Sequence, residues 1–294
     1  MQLQRLGAAL AGAALAMIAT AALADDASAP PPPDKSKFTL FNPTPDADLR
    51  SLCTDRPTKS TGTCTIDAGH WQVESDIYNV TFQTQGGVTT RTELFTNPNL
   101  KLGLTNTLDI EVNWSPWQQV TTHDHATDTT TVAAGVGDVF VRAKWNLLGD
   151  DGGNVAFALV PWVKVPTAPS SVGNGKVEAG FIPAIQLNLP KNWQLVIDPE
   201  VDMLLNASGG GYHANTSGLL SFSYPLTKEL TGSFEIWGDA NFDPARTVTQ
   251  ASFDLGIAWI PSKVPTLQLD GGVNLGLNKQ TPAAQVYTGV SKRF

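Results

Sequence analysis

The chain has 294 residues, of which 41% are hydrophobic and 16% charged, and its formal net charge is −8. The acidic balance argues against nucleic acid or an anionic membrane surface as a partner. Beyond the N-terminus no apolar stretch reaches the roughly 18 residues a transmembrane helix needs, so a membrane role requires strands.

Residues 1–24 read as a secretory signal peptide. Arg5 supplies the positive end, Leu6 to Ala21 is Ala-rich and apolar, and Ala22-Leu23-Ala24 is a small-x-small cleavage site before Asp25. An uncleaved membrane anchor is the alternative, but alanine is barely hydrophobic in a membrane. No Cys follows the site, so lipid attachment is not indicated. Residues 25–67 are polar and Pro-rich, with Pro30-Pro31-Pro32-Pro33 as a stiff spacer, and are expected to form a short periplasmic segment ahead of the barrel. Cys53 and Cys64 lie within it, and in an exported chain such a pair is expected to form a disulfide. A zinc site would need further ligands, and His70 is the one candidate nearby, so no metal is expected.

From residue 68 onward period-2 alternation dominates. In Leu108-Asp109-Ile110-Glu111-Val112-Asn113-Trp114 one face is apolar and the other acidic or amide, which a strand achieves and a helix does not. Val139-Phe140-Val141-Arg142-Ala143-Lys144-Trp145 repeats the pattern with cations inside, and Leu267 to Leu275 repeats it again. The spacing predicts twelve strands near 69–82, 91–104, 108–119, 138–148, 154–166, 177–189, 193–205, 213–226, 230–240, 248–260, 266–278 and 284–294. Short turns such as Thr105-Asn106-Thr107 and Pro190-Lys191-Asn192 alternate with longer segments such as Gln83–Thr90, Val120–Gly137 and Thr167–Lys176. Short turns at one end and long loops at the other match the periplasmic and extracellular ends of an outer-membrane barrel. An even strand count puts both termini at the short-turn end.

Aromatic residues fall into two groups under this topology. Trp71, Trp145, Trp193, Tyr224, Trp259 and Phe294 lie at the periplasmic strand ends, and Trp114, Trp117, Trp162 and Tyr212 toward the extracellular ends. A soluble sandwich would gather its tryptophans into one core. The final strand stops on Phe294, whose ring suits a membrane interface and leaves the strand ready to close the sheet.

The lumen is where function is expected. Inward positions include Glu74, Asp76, Asp109, Glu111, Asp138, Glu178, Asp198, Glu200, Asp202, Glu235, Asp239, Asp254 and Asp270, against Arg91, Lys101, Arg142, Lys144, Lys164 and Arg293. Such charges must be hydrated or paired. They serve either as a network bracing the barrel, with Arg142 and Lys144 facing carboxylates on neighbouring strands, or as the lining of a water-filled path that favours cations. Enzyme chemistry has little to build on. His70 lies at the periplasmic start of the first strand, His213 has no adjacent Ser, and His123-Asp124-His125 lies in an expected loop. Gly135-Val136-Gly137-Asp138 is not followed by a helix and cradles no phosphate.

Thr54-Asp55-Arg56-Pro57, Asp67-Ala68-Gly69-His70-Trp71-Gln72-Val73-Glu74, Gly135-Val136-Gly137-Asp138 and a closing Gly-x-Ser-x-Arg-Phe resemble the outer-membrane family named for the MetA pathway of phenol degradation. Val165-Pro166-Thr167-Ala168 departs from that family's Pro-Thr-Gly, so this loop is expected to differ. The resemblance implies an outer-membrane barrel, a transport role toward small aromatic or hydrophobic compounds, and no catalytic residues.

The sequence therefore reads as all-β: a transmembrane antiparallel β-barrel of about twelve strands over residues 68–294, without a cofactor. Its expected partners are outer-membrane lipids, the barrel-assembly machinery and a small-molecule solute. A structural barrel with a closed lumen and an outer-membrane enzyme are the other classes. Whether the lumen is open or plugged is not written in the alternation.

Overall fold

The computed structural model describes residues 34–294; the expected signal peptide and the Pro30–Pro33 spacer lie outside the described residues. Fifteen strands form one sheet: β1 (Trp71–Gln85), β2 (Val88–Phe95), β3 (Asn99–Thr105), β4 (Leu108–Asn113), β5 (Gln118–Asp124), β6 (Thr129–Gly135), β7 (Val139–Leu148) and β8 (Val155–Val165), followed by β9 (Glu178–Asn188), β10 (Gln194–Leu205), β11 (Tyr212–Pro225), β12 (Leu230–Asn241), β13 (Val248–Trp259), β14 (Leu267–Gly276) and β15 (Ala284–Arg293). The pairs β2 with β3, β4 with β5, and β6 with β7 are each one wall strand interrupted near mid-height, so the wall has twelve strands. β15 pairs antiparallel with β1 from Gln72↔Arg293 to Phe82↔Ala284, and the sheet closes. Closure removes the sheet edges that would otherwise expose unpaired backbone groups to lipid.

The interruptions have local causes. Thr96 takes a positive φ of 66° just before Pro98, and Pro116 sits between β4 and β5, where its missing N–H cannot serve a ladder. On the neighbouring strand β1, the register with β15 shifts between Asp76 and Tyr78. Each irregularity changes which alternate residues face inward. Arg91 shows the consequence. An unbroken strand over 91–104 would put it on the same face as Lys101. Instead it pairs with Phe82, faces outward, and donates to Glu93 Oε1 at 2.7 Å.

Two expected loops are sheet. Gln83–Thr90 continues β1 into β2 through Gly86 and Gly87, whose φ values of 60° and 81° are those a two-residue hairpin turn demands. Val120–Gly137 contains the β5–β6 hairpin, built largely from Thr and Val, whose branched side chains suit a pleated surface.

The barrel is inverted relative to a soluble protein. Among the largest fully buried side chains are Lys101, Lys144, Gln72, Glu111 and Glu235, all pointing inward. The outer surface carries Leu255, Ile257, Leu269, Leu275 and Val201, the last 57% exposed. Trp71, Trp145, Trp193 and Trp259 stand exposed near the short-turn ends, and Trp193 packs on Tyr224 with ring centroids 4.9 Å apart. Trp162 does not join the opposite girdle. It alternates with Lys164 toward the lumen, where its indole N–H donates to Glu200 Oε1 at 2.8 Å.

Candidate functional site: a plugged lumen

Alternation brings the predicted inward residues together along one polar channel, and the chain ahead of β1 enters that channel. Residues 34–49 lie across the short-turn end. Leu40 N–H donates to Leu104 O at 2.8 Å, and Thr44 Oγ1 bonds Asn106 Oδ1 at 3.0 Å. Arg50 then donates to Asp67 Oδ1 at 2.9 Å and pairs with Asp150 in the turn between β7 and β8. From there residues 53–64 rise inside the barrel as a loop closed by the Cys53–Cys64 disulfide, with the two Cα atoms 6.6 Å apart. Within the expected periplasmic segment of residues 25–67, this part is seated in the lumen as a plug.

The plug is held by charge. Asp55 accepts from Lys144 Nζ at 2.7 Å and from Lys101 Nζ at 2.5 Å. Arg56 reaches the next sector of the wall, donating to Asp76 on β1 at 2.6 Å and to Asp270 on β14 at 2.8 Å. Gly289 makes that approach feasible, since a Cβ there would lie 2.0 Å from the Arg56 guanidinium. Lys59 Nζ stands 2.9 Å from Asp254, and the backbone N–H groups of Lys59 and Ser60 donate to the two oxygens of Glu235. Thr61 N–H donates to Asp198 Oδ2 at 2.6 Å. Burial works against the charge on Asp55, but the two ammonium groups outweigh it and hold its carboxyl well below the usual range. Burial likewise opposes the charge on Arg56, yet Asp270 and Asp76 raise its pKa above the ordinary guanidinium value.

Most of the predicted inward residues fall into three groups. Glu74, Asp76, Asp198, Glu235, Asp254, Asp270, Lys101 and Lys144 bond the plug. Asp109 accepts from Ile66 N–H just behind it, and Glu111 lies 3.8 Å from Lys101. Glu178, Glu200, Asp202, Asp239 and Arg142 lie on the long-loop side of the plug, with Glu178 paired to Lys164 at 2.6 Å. Lys144 faces Glu111 on the neighbouring β4, with Nζ 3.5 Å from Oε1. Arg142 lies opposite Glu111 in register but forms no ion pair among the described residues, and its guanidinium stands 6.0 Å from the Phe140 ring centroid.

Sequence reasoning missed Asp55, Arg56, Lys59 and Thr61 as site residues. They carry no strand periodicity, and the surplus of inward carboxylates over inward cations was the available signal for a basic element filling the space. The histidines are engaged structurally: His70 bonds Thr44 O at 2.8 Å and Phe294 O at 3.2 Å, and His213 Nδ1 bonds Asn206 Oδ1 at 2.9 Å.

Residues 54–294 match the family model described as "Putative MetA-pathway of phenol degradation". The chain belongs to this family. Its match begins at Thr54, so all of the plug except Cys53 lies within the matched span. Among solved structures the chain resembles an outer membrane channel from Pseudomonas putida F1, with a TM-score of 0.61 at 11% identity, covering 81% of this chain and 100% of that one. The translocator domain of an autotransporter from Neisseria meningitidis aligns with a TM-score of 0.48 at 13% identity, covering 80% of this chain and 90% of that one. No curated protein matches the chain in sequence. The shared fold is that of an outer-membrane β-barrel.

Proposed function

We propose that this family member is an outer-membrane channel for small solutes whose lumen is closed, in the state described, by the disulfide-bound loop 53–64. The observation that carries the reading is how the plug is held. Arg56 and Lys59 meet the wall through ion pairs, and Lys59, Ser60 and Thr61 add backbone hydrogen bonds to carboxylates. Hydrated ions can replace such contacts one by one, whereas an apolar seal would resist water. The wall also keeps its own compensation when the plug leaves: Lys101 stands 2.6 Å from Glu74, and Lys144 3.5 Å from Glu111.

Released, the lumen would present Asp76, Asp198, Glu235, Asp254 and Asp270 to water, which favours cations and neutral solutes over anions. Small aromatic or hydrophobic compounds are the substrate class that family membership suggests. The plug's many anchors also favour a second reading, a permanently closed structural barrel. Planar-bilayer recordings separate the two. A channel should show brief openings in the native protein and longer ones in an Arg56→Ala, Lys59→Ala double variant, with cation preference in dilute KCl, where charge screening is weakest. Silence in both proteins would establish the closed barrel, and anion preference would overturn the role assigned to the carboxylates.

A further inference from the structure

We propose that Glu200, Asp202 and Asp239, together with Trp162, form a binding site for an organic ammonium group on the long-loop side of the plug. The proposal rests on the lumen being a solute path and names one chemical class of solute that would pause there.

These carboxylates differ from their neighbours. Asp270, Asp254 and Glu178 each have a Lys or Arg partner within 2.9 Å. Glu200, Asp202 and Asp239 have none among the described residues. Glu200 and Asp202 lie on β10 and Asp239 on β12, and from β11 between them Asn215 Nδ2 donates to Asp202 Oδ2 at 3.0 Å and to Asp239 Oδ1 at 2.8 Å. Glu200 takes the Trp162 indole N–H on one oxygen and Ser217 Oγ, at 3.3 Å, on the other.

The second observation is an unused acceptor. Asp202 is only 9% exposed, yet its Oδ1 accepts no hydrogen bond. That oxygen lies over Gly180, beside the Trp162 ring. A Cβ at Gly180 would fall 2.1 Å from Oδ1 and 2.4 Å from the indole. The missing side chain is what lets carboxylate and aromatic ring meet. A buried carboxylate oxygen without a donor is costly, and an N–H group of a bound solute would supply the donor it lacks.

A metal ion is a poor fit, because no group of His, Cys, Asp or Glu among the described residues is arranged to hold one. An ammonium group fits better. It carries several donors that can address separate carboxylates, and its attached carbon can lie on the Trp162 face. Phe140, whose ring centroid is 5.7 Å from that of Trp162, extends the apolar wall for the rest of the molecule.

The test uses the purified full chain in detergent with benzylammonium as probe and benzyl alcohol as its neutral counterpart, followed by calorimetry and tryptophan fluorescence. Benzylammonium should bind at least tenfold more tightly than benzyl alcohol. Asp202→Asn and Glu200→Gln should each lose at least tenfold, while Glu229→Gln, at the short-turn end, should not change. Gly180→Ala should also lose binding, and the two isosteric variants keep the test valid if the added methyl prevents folding. Equal binding of the two probes, unchanged affinity in Asp202→Asn, or displacement of the probe by equimolar calcium would each overturn the site. Conductance is read separately. A protein that conducts without binding benzylammonium refutes this site alone, and one that binds without conducting refutes the channel.

Discussion

Asp55 lies between two wall lysines, 2.7 Å from Lys144 Nζ and 2.5 Å from Lys101 Nζ, so one carboxylate of the plug joins β7 to β3. No neighbouring strand pairing connects these two side chains, because β4 stands between them. The contact therefore couples plug position to wall electrostatics in a way the barrel alone does not require.

The pH dependence follows from this pair of contacts. The seated Asp55 has a depressed pKa, whereas a released one would titrate near the ordinary value of about 3.9. A depressed folded pKa adds stability that is fully present above the released value and is lost as pH falls through the seated one. Openings in planar bilayers should therefore be unchanged between pH 7 and pH 5 and increase only below about 4. Asp55→Asn should open more at neutral pH and lose this acid response. An opening midpoint near pH 6 in the native protein would exclude Asp55 as the controlling group.

The disulfide should govern the plug and not the wall. Cys53 and Cys64 close a loop of sequence separation 11 that lies wholly inside the lumen, and neither cysteine belongs to a strand. Cys53→Ser should leave the heat-resistant migration of the folded barrel on gels unchanged. It should lengthen channel openings, because the untied loop has more conformations available when released. Loss of barrel assembly in this variant would mean that the plug templates the wall.

The outward faces give a test independent of the plug. Ile197 lies on β10 opposite Leu220 and Ile185, on the face that alternates with the inward Asp198. Ile197→Arg should destabilise the barrel in bilayers by about 2–4 kcal/mol, the cost of a cation near the membrane midplane. Refolding titrations in lipid vesicles measure it. A loss below about 0.5 kcal/mol would mean that this position is not in contact with hydrocarbon.

The wall was legible because period-2 alternation reports burial directly, and in a barrel it reports lumen against lipid. Val201, Leu255 and Ile257 lie outside and Asp198, Glu200 and Asp202 inside, as their spacing requires. Arg91 was misread because a positive φ at Thr96 and the nearby Pro98 shift the phase, and alternation has no term for such a shift. The Gly86-Gly87 pair was a hairpin signal treated as loop composition. The plug was not legible for a deeper reason. Asp55, Arg56 and Lys59 contact residues on β1, β3, β7, β13 and β14, between 19 and 214 positions away, and their meaning exists only once the barrel closes around them.

The closing strand carries the last prediction. Phe294 N–H donates to Trp71 O at 2.9 Å, the final rung of the β15–β1 ladder, while its ring is 68% exposed beside the short-turn end. Buried area within the chain therefore contributes little to its role. A ring at that position suits the headgroup region, and Lys292, which donates to Thr266 Oγ1 at 2.5 Å, keeps its charge at the same level. Deleting Phe294 removes one backbone hydrogen bond, worth about 0.5–1.5 kcal/mol, together with an exposed aromatic ring at the short-turn rim. We expect the deletion to cut the amount reaching the outer membrane several-fold more than it lowers heat stability of the molecules that do assemble. Such a split would assign the residue to recognition by the assembly machinery. Normal accumulation together with a large stability loss would assign it to closure of the wall.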